Sequence, residues 1–143
     1  MHTFHIHIYR NNMTVHIVSY NLLVPIYAEE PGYYIKSRPE FLTTGYRWRL
    51  IQSQLQREIR LHENTIICLQ ELSNTMLSKL NKLFRQMNYK FYHSLYGNRY
   101  NDYMGVGIAV PVSMQLISTN FISVGDRLRS TMEPHEKQCG LIA

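Results

Sequence analysis

No run of eighteen apolar residues occurs in this sequence, so no membrane-spanning helix is expected. The first residues, Met1-His2-Thr3-Phe4-His5, lack the charged-then-apolar order of a signal peptide. Cysteine is scarce: Cys68 and Cys139 are the two present, and they follow no pattern. Such usage fits a reducing compartment, with a cytoplasmic location as the expectation. Charge is also sparse, at 17% of residues against 45% hydrophobic, which is a globular composition. There are no internal repeats and no low-complexity tract. The 143 residues therefore read as one domain, 1–143, with room for a sizeable core.

What charge there is leans positive. The net charge of +5 suits a polyanionic partner such as nucleic acid. Eleven tyrosines stand among the basic residues. Tyrosine interleaved with arginine can stack bases and contact phosphates, though tyrosine is also a common strand residue.

The stretch Thr65-Ile66-Ile67-Cys68-Leu69-Gln70-Glu71 organises the chain. A short continuous apolar run predicts a strand buried on both faces, with Cys68 as a small buried residue. Glu71 would then stand at the rim of the sheet. A carboxylate on a rigid strand end is well placed to hold a metal ion; equally, Gln70-Glu71 can be the polar start of a loop.

Around that strand the pattern is regular. Phe4 to Tyr9 alternates, Arg10-Asn11-Asn12 supplies a turn, and Thr14 to Tyr20 gives a second strand, so the pair reads as a hairpin. His5 and His7 would share one face, either as metal ligands or as the polar face of an edge strand. From Leu22 to Thr44, Pro25, Pro31-Gly32 and Pro39 predict a long irregular loop with Tyr27, Tyr33 and Tyr34 in it. Thr43 or Thr44 can cap a helix from about Tyr46 to His62, with Trp48, Ile51, Leu55 and Ile59 on one stripe. Arg57 and Arg60 read as its solvated face. Ser73 caps a second helix to about Met87, whose Met and Leu stripe is core. Tyr89 to His93 and Gly105 to Val110 read as strands flanking the loop Gly97 to Tyr103, and the glycines of the second suggest close packing. Asp102 in that loop reads as a turn former. Met114 to Ser118, Phe121 to Val124 and the apolar end Cys139 to Ala143 look strand-like, with a charged loop from Gly125 to Lys137. The order predicts an α/β layered domain with a mixed sheet and helices on one face.

Three of these stretches together resemble the endonuclease/exonuclease/phosphatase superfamily. They are Ser19-Tyr20-Asn21-Leu22-Leu23, Ile66 to Gln70-Glu71, and Gly105 to Val110. Tyr27-Ala28, Pro39, Phe41-Leu42 and Tyr46-Arg47-Trp48-Arg49 extend the likeness toward the deadenylase branch of nocturnin type. The resemblance covers Thr14 to about Pro111. It implies an α+β fold, the DNase I-like four-layer α/β/β/α sandwich, of which this chain would supply roughly the first half.

The resemblance also implies a Mg²⁺-dependent phosphodiester hydrolase with RNA as partner and substrate, a poly(A) tail among the candidates. Glu71 matches the superfamily's Mg²⁺ ligand and Asn21 its site asparagine, which orients the phosphate. The superfamily's later Asp-x-Asn and Asp-His elements do not occur here, and Glu133-Pro134-His135-Glu136 does not match them. The chain alone is therefore expected to be inactive and to expose an apolar sheet face. A phosphatase of small molecules and a non-catalytic nucleic-acid-binding module are the alternative readings. Nothing in the sequence fixes an oligomeric state.

Overall fold

The computed structural model describes residues 4–10, 13–115, 117–118, 120–123 and 139–142, with side chains from 14 to 115 and at 117 and 118. Strands β1 (Phe4–Arg10) and β2 (Met13–Asn21) form the expected antiparallel hairpin. Short helices α1 (Pro25–Glu29) and α2 (Pro39–Leu42) precede the long α3 (Thr44–Leu61). Then come β3 (Thr65–Leu72), α4 (Asn74–Gln86), β4 (Tyr89–Leu95), a 3₁₀ turn at Arg99–Asn101 and β5 (Gly105–Pro111). Strands β6 (Asn120–Ser123) and β7 (Cys139–Ile142) pair with each other.

The main sheet has the order β1-β2-β3-β5-β4. It is mixed: β2 and β3 run parallel and the other pairs antiparallel. Strand periodicity sends Val18, Tyr20, Ile67, Leu69 and Ala109 to one face, where Ile51 and Leu55 of α3 and Met76, Leu80, Leu83 and Phe84 of α4 cover them. The other face carries Val15, Ile17, Ile66, Cys68 and Val106, all half-buried. The expectation that β3 is buried on both faces is thus corrected. Its burial alternates, because helices cover one side only among the described residues.

Local chemistry explains the element ends. Thr43 caps α3 by accepting from the Tyr46 N–H, and Ser73 caps α4 by accepting from Met76 N–H at 3.3 Å. Ser73 is fully buried. Ser73→Ala is expected to lower stability by about 1 kcal/mol in thermal melts. A Cβ on Gly107 would sit 2.6 Å from the Phe91 ring, and one on Gly105 would sit 2.1 Å from the Ser94 carbonyl. These glycines let β4 and β5 pack closely, as expected.

Three readings of the sequence need correction. The segment from Leu22 to Thr44 is not a plain loop: Pro25 and Pro39 each open a short helix, since proline at the first helical position gives up no hydrogen bond. Residues 112–115 and 117–118 form no strand; the chain turns after Pro111, with Met114 N–H donating to its carbonyl at 3.0 Å. The loop Gly97 to Tyr103 contains a 3₁₀ turn capped by Asn98. Gly125 to Lys137 lies outside the described residues, as do the side chains of His5 and His7. Arg57 and Arg60 are exposed, as read.

Candidate functional site

Because β2 and β3 are parallel, their C-terminal ends reach the same rim, and Asn21 stands opposite Gln70. A regular β3 would aim Glu71 at the helix face, in line with Ile67 and Leu69, where an ionised carboxylate is costly. A bulge prevents this. The register with β5 slips between Gln70 and Leu72, and Glu71 adopts φ 52°. Leu72, fully buried opposite Gly105, takes the core position instead. The Glu71 carboxylate is re-aimed to the rim.

There it is held from two sides. Asn21 Nδ2 donates to Glu71 Oε1 at 2.7 Å, and Val24 N–H donates to Oε2 at 3.2 Å. Asn21 Oδ1 in turn accepts from Leu23 N–H at 2.8 Å. Leu23 has φ 55°. Among the positive-φ residues other than Gly, Asn and Asp, namely Leu23, Glu71 and Tyr103, two border this rim. Each such conformation costs on the order of 1–3 kcal/mol and persists where surrounding contacts impose a geometry.

Arg47 completes the wall. Its Nη2 donates to the carbonyls of Leu22 and Leu23, the latter at 2.6 Å. Its Nη1 is buried without a hydrogen-bond partner among the described residues. Burial pulls the guanidinium below its usual pKa, and the charges of Glu29 and Glu71 are among those that oppose the shift. It remains a cation at neutral pH. Sequence reasoning placed Arg47 in a motif but did not assign it to the site. Asn21, Glu71, Arg47, Tyr34, Ser19 and Gln70 line a cleft of about 570 Å³, which also has leucine walls. That is within the size range of small-ligand sites.

Asp102 lies elsewhere in role. Its carboxylate accepts from Thr75 N–H at 3.1 Å and its carbonyl from Asn74 N–H at 2.9 Å, so it serves the start of α4, in keeping with its reading as a turn former. Burial raises the Cys68 thiol, which keeps it protonated at neutral pH and removes it as a nucleophile.

The helix bearing Arg47 is itself anchored. Glu29 Oε1 accepts from Thr44 N–H at 2.5 Å and from Thr44 Oγ1 at 2.6 Å. The hydroxyl bond first, and the backbone bond second, lower the Glu29 carboxyl pKa. Since the folded value lies below the unfolded one of about 4.3, the tie contributes fully above that pH and is lost as pH falls through the lower, folded value. The Thr44 amide resonance is expected to titrate with a midpoint below 4.3 in an NMR pH series. In Glu29→Gln that titration should vanish.

The residues fit a hard divalent cation. Each Glu71 oxygen accepts one hydrogen bond from Asn21 or Val24, leaving a lone pair, and a single carboxylate plus waters is an ordinary Mg²⁺ setting. Among the described residues, the rim brings together the two site residues expected from sequence.

No protein-family model matches the chain, and no curated protein does. Solved structures do. Two crystal structures of ANGEL2, a 2′,3′-cyclic phosphatase, one of them in complex with adenosine-2′,3′-vanadate, match with a TM-score of 0.65 and 20% identity. The match covers 75% of this chain and 30% of the ANGEL2 chain, so this chain spans under a third of the protein it resembles. At that identity the likeness shows architecture alone: the chain has the fold of part of a DNase I-like sandwich.

Proposed function

We propose that this chain is the N-terminal part of a Mg²⁺-dependent phosphodiester hydrolase that acts on RNA, with residues 1–143 belonging to a single domain of that kind. The observation that carries the reading is the 2.7 Å bond between Asn21 and Glu71 at the rim of a cleft whose wall also carries Arg47. Glu71 would hold Mg²⁺, which supplies charge neutralisation at the phosphate and a polarised water. Asn21 fixes the carboxylate by its N–H and adds no negative charge. Arg47 contributes positive charge to the cleft wall and locks the Leu22 and Leu23 carbonyls. Tyr34 lines the same cleft and offers a ring for a base. Tyr33, 67% exposed and stacked on Tyr27, extends the aromatic surface.

The likeness to a 2′,3′-cyclic phosphatase crystallised with an adenosine derivative favours an adenosine-bearing RNA end as substrate. Poly(A) tails and RNA ends that carry an adenosine 2′,3′-cyclic phosphate both present one. The cleft's described lining has one carboxylate and no histidine, so this chain alone lacks a general base there and is expected to be inactive. The test is an assay of the full-length product on adenosine 2′,3′-cyclic phosphate and on RNA ending in adenylates. Hydrolysis that needs Mg²⁺ and stops with a chelator is expected. Absence of metal-dependent hydrolysis, together with RNA affinity that falls steeply with salt, would instead establish the binding-module reading.

A further inference from the structure

At the opposite end of β2 from Asn21, His16 meets Glu58 and His62 of the α3 end. Five residues of strand place this cluster roughly 16 Å from Asn21. One ligand atom from each of the three side chains lies within 4.8 Å of the others. His16 Nε2 is 3.3 Å from Glu58 Oε2, and the His16 and His62 rings stack at 3.8 Å. We propose that His16, Glu58 and His62 form a binding site for a borderline divalent transition ion of the zinc type, which clasps the end of α3 to the sheet.

The fold builds this site rather than leaving it on the surface. Glu58 lies in the last turn of α3 and His62 is the residue that caps its C-terminal end, with the His62 N–H bonded to the Glu58 carbonyl. His16, on the helix-facing side of β2, is 2% exposed and Glu58 is 6% exposed. A carboxylate buried to that degree needs a positive partner. Among the described residues its ion-pair partner is an imidazole, not a lysine or arginine. Gln54 Nε2 donates to Glu58 Oε1 at 2.7 Å, which leaves Oε2 facing His16. That is the outer-shell support that orients a metal-ligating carboxylate.

The donor set selects the ion. Two imidazole nitrogens and one carboxylate oxygen suit Zn²⁺ in a four-coordinate site with a water in the last position, and suit Mg²⁺ poorly. His62 is the half-buried member. The His16 and His62 ring planes lie 20° apart in the stacked arrangement, so joint ligation requires the His62 ring to turn about χ2. The backbone around it is fixed: Thr65 Oγ1 donates to the His62 carbonyl at 2.8 Å, and His62 N–H donates to that of Glu58 at 3.2 Å.

Zn²⁺ titrated into the metal-free 143-residue chain, in competition with a chromophoric chelator, should fill one site and raise the melting temperature. Co²⁺ in its place should give the visible absorption of a four-coordinate ion. His62→Gln should weaken binding by on the order of 100-fold or more, while Glu71→Ala should leave it unchanged, which separates this site from the cleft. Where the His62 variant folds poorly, Co²⁺-induced shifts of the His16 and His62 ring protons in the wild-type chain give the same answer. No zinc binding, equal affinity in a folded His62→Gln chain, or unshifted ring protons would each overturn the assignment.

Discussion

Glu71→Ala is expected to abolish the metal-dependent hydrolysis of the full-length product, by on the order of 10²–10⁴-fold in kcat/KM. That range follows from the several kcal/mol that a catalytic metal supplies to the charge developing at a phosphoryl group. The variant removes the carboxylate of the rim and leaves Asn21 Nδ2 and Val24 N–H without their acceptor. It does not open the core, because Leu72 rather than Glu71 fills the space between β3 and the helices. The loss should therefore appear in rate while the melting temperature stays close to wild type. Retained hydrolysis would remove Glu71 from the site.

A large effect of the opposite kind is expected at Phe84. The side chain is fully buried on the inner face of α4, with its ring 4.8 Å from that of Phe91 and 6.3 Å from that of Tyr89. Phe84→Ala loses the transferred area and leaves a cavity, about 3–5 kcal/mol together. The lost ring contacts place the variant toward the upper part of that range. Against a total stability of about 5–15 kcal/mol the change is severe, and a drop in melting temperature on the order of 10 °C is expected by calorimetry. Ile117→Ala, at a residue 96% exposed, should stay within about 0.5 kcal/mol of wild type.

Much of the architecture could be read from residue order alone. The helix stripes of α3 and α4, the caps at Thr43 and Ser73, and the strands through Tyr20, Leu69 and Val110 all lie where periodicity puts them. These are signals in which propensity, patterning and burial agree. The misreadings arose where a tertiary fact overrides a local one. Pro25 and Pro39 looked like breakers because nothing local says that they start helices rather than end them. The run Met114 to Ser118 is strand-like in composition, but the chain turns after Pro111 and its described residues, 114–115 and 117–118, form no strand.

The site was legible only in part. Asn21 and Glu71 were found by motif, yet the bulge that brings the carboxylate to the rim has no glycine to announce it. The lesson lies in the spacing of Leu69 and Leu72. Two fully buried leucines three apart in a strand require an extra residue between them, and Glu71 is that residue. Arg47 escaped because its role depends on where the Leu22 and Leu23 carbonyls turn. The cluster of His16, Glu58 and His62 escaped because its members are 42 and 46 residues from the strand histidine.

Divalent-metal occupancy at the rim is best measured with Mn²⁺ as a paramagnetic stand-in for Mg²⁺, followed by NMR on the chain. The Asn21 side-chain amide and the Val24 N–H should broaden first, recover on adding excess Mg²⁺, and lose this early broadening in Glu71→Ala. Broadening that leaves these two groups untouched, or that persists unchanged without the carboxylate, would contradict a cation site built by Asn21 and Glu71.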